Sequence, residues 1–132
     1  MSVDIKTVPN GGLYPLSGAV TVSLAAAAAT TLYTVPTGYT AVIDHVDIIV
    51  GADAGASTLT IGRSTALTDF LDTQTITALN AANAKGELRP VPNATTVKQV
   101  TYAAGVIIQV NVTAANGGAT NTMIVWGYLI AD

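Results

Sequence analysis

The 132-residue chain has no cysteine. That excludes a disulfide scaffold, a thiolate zinc site and a cysteine nucleophile. Charge is scarce as well: Asp, Glu, Lys and Arg make up 10% of the residues, where about a quarter is usual for a soluble domain. The five basic residues, Lys6, Arg63, Lys85, Arg89 and Lys98, are scattered, and the net charge is −3. Counterion release on nucleic acid needs clustered Lys and Arg, and no aromatic stacking platform accompanies them, so no nucleic-acid partner is expected. No apolar run approaches the ~18 residues of a membrane span, so no membrane partner is expected either. The first residues, MSVDIKTVPNGG, lack the basic and apolar regions of a signal peptide, which predicts synthesis in a cytoplasm without an export address. No helical period is long enough for a βαβ crossover.

Half of the residues are hydrophobic, and Thr, Ala, Val, Asn and Gly occupy the places that Lys and Glu usually fill. Such a surface tolerates close neighbours and suits a protein packed against others in a shell, fibre or oligomer. The length fits one domain. Residues 1–17 read as an extended N-terminal arm: Pro9, Asn10, Gly11, Gly12 and Pro15 break any regular element, while Val3, Ile5, Leu13, Tyr14 and Leu16 are apolar and call for a partner surface. Residues 18–132 read as a single β-sandwich domain.

From Ala19 the apolar period is two. Val20, Val22 and Leu24 alternate with Thr21 and Ser23. A short strand over Leu32–Val35 leads to Pro36-Thr37-Gly38, a turn in which proline presets φ and glycine supplies φ > 0. The long strand Tyr39–Val50 carries Val42, Asp44, Val46, Ile48 and Val50 on one face and Ala41, Ile43, His45, Asp47 and Ile49 on the other. Further strands are predicted over 57–61, 70–76, 95–102, 105–113 and 122–130. The segment 78–84 allows a helical turn, and 85–94, with two prolines, reads as a loop. In the last strand Met123, Val125 and Leu129 share one face, and Ile124, Trp126, Tyr128 and Ile130 the other. A strand apolar on both faces is covered on both, by core on one side and by an arm or a subunit on the other. About eight strands with turn signals between them predict an all-β antiparallel β-sandwich or jelly roll.

The chemistry-bearing residues are few. His45 is the one histidine, and a Ser-His-Asp unit needs a nucleophile and an orienting acid around it. Asp44 points away from His45 in a regular strand, whereas Asp47 shares its face. One histidine and one carboxylate are too few for zinc without ligands from elsewhere, so no metal and no cofactor is expected. Asp53, Asp69 and Asp72 lack calcium-loop spacing, and Glu87, the lone glutamate, has no partner acid in the pattern that glycoside cleavage needs. No catalytic residue is identified, and the chain does not read as an enzyme. The matches at Asn93 and Asn111 to a glycosylation acceptor are incidental without a secretory signal.

One stretch carries a resemblance. TTLYTVPTGYTAVIDHVDIIV followed by STLTIG, about residues 30–61, resembles a segment of small tailed-phage virion proteins, in which a short strand ends in V-P-x-G and a long β-branched strand follows. The resemblance implies a virion β-sandwich protein, most like a capsid decoration (cement, head-stabilising) protein. Such a protein binds the outer shell, often as a homotrimer, and clamps neighbouring major capsid subunits. It would be made in the host cytoplasm and reside on the capsid surface. The alternative within the same class is a small tail, baseplate or glycan-binding receptor module. For the decoration role the candidate contacts are Val3, Ile5, Leu13, Tyr14 and Leu16 in the arm, and His45, Asp47, Trp126, Tyr128 and Ile130 on the sheet.

Overall fold

The computed structural model describes residues 13–90, 98–116 and 120–132. Within them the chain forms ten strands and no helix: β1 (Tyr14–Pro15), β2 (Val20–Ser23), β3 (Ala29–Thr34), β4 (Tyr39–Val50), β5 (Thr58–Arg63), β6 (Ala66–Thr75), β7 (Lys85–Leu88), β8 (Thr101–Tyr102), β9 (Ile107–Ala114) and β10 (Thr120–Ala131). They build two antiparallel sheets. In the first, β10 pairs with β4; β1 and β2 share the free edge of β10, and β7 and β8 share the free edge of β4. The second sheet has the order β3-β9-β5-β6. Ten strands therefore fill eight lanes, four in each sheet, which is how an expectation of about eight meets a count of ten.

The core lies between the sheets. Val46, Ile48, Met123 and Val125 from the first meet Leu59, Ile61, Phe70, Ile108 and Val110 from the second, all without solvent exposure. Alternation is plain in β9, where Ile108, Val110 and Val112 are buried while Ile107, at 36% exposure, and Thr113 face outward. Burial on one face of a period-two strand supplies most of its stability, at about 25 cal/mol per Å² of apolar surface removed from water.

Three local expectations change. The segment 78–84 is a pair of turns, closed by the Leu79 N–H donating to the Ile76 carbonyl at 2.8 Å and the Ala84 N–H to the Ala81 carbonyl at 3.1 Å. Asn83 takes φ +67°, a left-handed value that asparagine tolerates and that halts helical propagation. The expected loop at 85–94 contains β7, a four-residue edge strand. The turn at 36–38 places Pro36 at the first position and not the second: the Tyr39 N–H donates to the Pro36 carbonyl at 3.3 Å, and Gly38 holds φ +85°. Of the strand predicted over 95–102, the described part forms β8 alone; Asn93 lies outside the described residues.

A part-buried polar knot ties β6 to the segment before β8. Asp69 pairs with the Arg63 guanidinium and accepts the Arg63 N–H at 3.1 Å. The Tyr102 hydroxyl donates to the Gln99 carbonyl at 2.7 Å and lies 3.3 Å from Asp69 Oδ1. Tyr102 has no solvent exposure; burial, reinforced by the Asp69 charge, pushes its phenol far above the ordinary tyrosine value.

Candidate functional site

The residues that gather chemistry lie on the outer face of the first sheet, and a β-bulge puts them there. The β4–β10 register runs regularly from Val50 opposite Asn121 to His45 opposite Trp126, and then Ile43 stands opposite Gly127. Asp44 is the extra residue. The bulge shifts the phase of β4, so Ala41 and Ile43 join Val46, Ile48 and Val50 in the core, and the two-face assignment made by strict alternation fails across residues 44–45. Gly127 permits it: a Cβ there would lie 2.0 Å from the Val42 carbonyl oxygen and 3.0 Å from the Ile43 Cα.

The bulge brings Asp44 and His45 together, contrary to their expected opposition. Asp44 Oδ2 is 2.7 Å from His45 Nδ1. The other ring nitrogen, Nε2, is 3.3 Å from Asp47 Oδ1 and 3.9 Å from Glu87 Oε2. Glu87 arrives from β7, whose register sets it opposite Asp47. Arg89 closes the group, donating to Asp44 Oδ2 at 3.0 Å and to Glu87 Oε1 at 3.1 Å. The hydrogen bond to His45, aided by the Arg89 charge, holds the Asp44 carboxyl below its ordinary value. The His45 ring stacks on Trp126 with centroids 5.9 Å apart and planes 8° from parallel. His45 is only 9% exposed.

Around this cluster the outer face is apolar. Ile124, Trp126 and Tyr128 are half-buried and Ile130 is 45% exposed. The indole N–H of Trp126 is buried without a hydrogen-bond partner. Tyr14 and Pro15 pair with Gly127 and Trp126, the Leu16 N–H donates to the Val125 carbonyl at 2.7 Å, and the Leu16 side chain packs on the core. Leu13 is half-buried, and Val3 and Ile5 lie outside the described residues.

Of the residues singled out in the sequence, the structure brings together His45, Asp47 and Trp126, with Tyr128 and Ile130 farther along the same face of β10. It adds Asp44, Glu87 and Arg89, which period-two reasoning separated or left in a loop. The other carboxylates are engaged locally: Asp53 accepts the Gly55 N–H at 2.9 Å, Asp69 pairs with Arg63, and Asp72 lies 3.7 Å from Lys98 Nζ. The His45 ring meets carboxylates and an indole, a network that holds it in place.

No family model and no curated protein matches this sequence. The fold, by contrast, is similar over nearly its whole length to that of a chain in the acidic stable capsid structure of Helicobacter pylori bacteriophage KHP30. The TM-score is 0.52 at 15% identity, covering 89% of this chain and 94% of that one. A chain of the cyanophage Pam1 capsid asymmetric unit aligns over 88% of this chain and 84% of its own length at 16% identity, with a TM-score of 0.45, which carries no weight by itself. The antiparallel sandwich is thus a fold found in a phage capsid.

Proposed function

We propose that this chain is a structural, non-enzymatic protein of a tailed-phage virion that binds the outside of the capsid and stabilises contacts between major capsid subunits. The observation that carries the reading is the near end-to-end likeness in fold to a chain of a phage capsid structure. Three features support it. Numbered in chain order, the eight lanes follow 1-8-3-6 in one sheet and 2-7-4-5 in the other, the double Greek-key order of a jelly roll, an architecture common in capsid proteins. The charge-poor composition suits close neighbours. The outer face of the first sheet carries an apolar row, from Ile124 to Ile130, that association would cover.

On this reading the protein is a homotrimer whose mutual contacts include Trp126, Tyr128 and Ile130, and residues 1–12 reach the major capsid protein or a neighbouring copy. An arm that docks on a neighbour adds avidity without enlarging the domain. Immunogold electron microscopy of particles from the source virus tests the location. Label spread over the heads is expected. Label confined to the tail tip overturns the capsid reading in favour of an adsorption or glycan-binding module, and particles without label overturn the virion reading altogether. Because Tyr14–Leu16 belong to the folded sheet, the arm is tested by deleting residues 2–12: particle binding is lost while the β-sheet circular dichroism stays, and retained binding removes the arm from the mechanism.

A further inference from the structure

We propose that His45 Nε2, Asp47 and Glu87 form a divalent-cation site, best matched to Zn²⁺, on the outer face of the first sheet. Among the described residues these three side chains each offer one ligand atom within 4.8 Å of the others. Proximity of acids alone is common on surfaces, and the case rests on how the imidazole is held. His45 is 9% exposed as a residue and 11% over its side chain. Its Nδ1 is committed to Asp44 at 2.7 Å, the carboxylate–histidine arrangement that orients a metal-ligating imidazole and puts the lone pair on the opposite nitrogen. That nitrogen, Nε2, faces Asp47 Oδ1 at 3.3 Å and Glu87 Oε2 at 3.9 Å, where a ring proton makes an ion pair and a metal ion could take the proton's place. With no proton on Nε2, three acceptor atoms from two strands face one another, the donor set that a divalent cation takes.

The dimensions agree. Zinc takes nitrogen and carboxylate oxygen at about 2.0–2.1 Å in a tetrahedron, which sets ligand atoms about 3.3–3.4 Å apart. Nε2 and Asp47 Oδ1 already stand 3.3 Å apart. Glu87 Oε2 stands at 3.9 Å on a half-exposed side chain and can close the remainder by a rotamer adjustment. Arg89 bonds chiefly to the other Glu87 oxygen, at 3.1 Å, and reaches Oε2 only at 3.5 Å. The frame is rigid: Trp126 stacks on the ring, Arg89 braces Asp44, and antiparallel pairing fixes Asp47 opposite Glu87. Three carboxylates outnumber the nearby cations, Arg89 and Lys85. A shallow depression lined by Asp47, Lys85, Gly86 and Glu87 lies beside the two carboxylate ligands, giving a cation entry from solvent. The imidazole nitrogen disfavours Ca²⁺ and Mg²⁺, which take oxygen donors.

The test is isothermal titration of tag-free, chelator-treated full-length protein with ZnCl₂, with MgCl₂ as control and the thermal midpoint as a second readout. One Zn²⁺ per chain is expected, with a raised midpoint that Mg²⁺ does not reproduce. E87Q, at an exposed position that leaves folding intact, weakens binding at least tenfold. D44N retains all three ligands and weakens binding 10–100-fold through the orienting hydrogen bond, while H45Q abolishes it. Absence of saturable Zn²⁺ binding below millimolar concentration, or equal affinity in E87Q and the parent, overturns the site. The inference is independent of the virion reading, which stands or falls on particle labelling.

Discussion

Replacing Gly127 by alanine tests the bulge at its tightest point. The new Cβ would sit 2.0 Å from the Val42 carbonyl oxygen and 3.0 Å from both the Val42 carbonyl carbon and the Ile43 Cα. Every one of those atoms is backbone, so no rotamer relieves the contact, and β4 must retreat by about 1 Å or more along its pairing with β10. Overpacking of this kind costs about 1–3 kcal/mol, and a backbone obstacle puts Gly127→Ala at the upper end, about 3 kcal/mol. Loss of glycine's freedom in the unfolded chain offsets about 0.4–1 kcal/mol of that, leaving about 2–2.5 kcal/mol. With an unfolding entropy of about 2.1 cal/mol/K per residue, 132 residues give about 0.28 kcal/mol/K, so the melting temperature falls by about 7–9 °C. Differential scanning calorimetry reads it directly. Gly18→Ala is the control: nothing lies within 4 Å of its added Cβ and its φ is unremarkable, so only the unfolded-state gain of about 0.4–1 kcal/mol remains and the midpoint rises by about 1.5–3.5 °C. A G127A midpoint within 2 °C of the parent would refute the close approach of β10 to β4 and, with it, the account of how Asp44 and His45 come to share a side.

Two further predictions concern the interior. The raised Tyr102 phenol contributes stability that is fully present below the unfolded value of 10.0 and is lost as pH rises above it; Y102F flattens the decline above pH 10 by one proton's worth, about 1.36 kcal/mol per pH unit, in urea midpoints measured from pH 9 to 11. Phe70 has no solvent exposure, so Phe70→Ala costs about 3–5 kcal/mol, and a loss under 1 kcal/mol by urea denaturation would show that the space between the sheets is not packed around it.

The long strands were legible because their residues obey one local rule. β4, β9 and β10 are β-branched, alternate over eight residues or more and bury the face that alternation assigns, apart from the stretch of β4 on the far side of the bulge. What escaped was non-local. A bulge depends on where the partner strand places a glycine, and nothing within Thr40–Val50 announces it. β7 has only Gly86 and Leu88 between Lys85, Glu87 and Arg89; a charged four-residue edge strand resembles a solvated loop until β4 is beside it. Glu87 therefore looked solitary, and Asp44 looked turned away from His45. The elements of the candidate site were each visible, while their convergence belongs to register.

The lane occupied by β10 also sets a schedule for folding. Residues 120–131 run through the middle of the first sheet, flanked by β1 and β2 on one side and β4 on the other. Until they are synthesised, the earliest strands have no partner in that sheet, and β4 shows a bare edge to the cell. Every pairing they complete spans a long stretch of chain, the arrangement that slows folding and prolongs exposure of sticky intermediates. A chain without residues 120–131 would have half its sandwich open, so the first sheet closes only once β10 is in place.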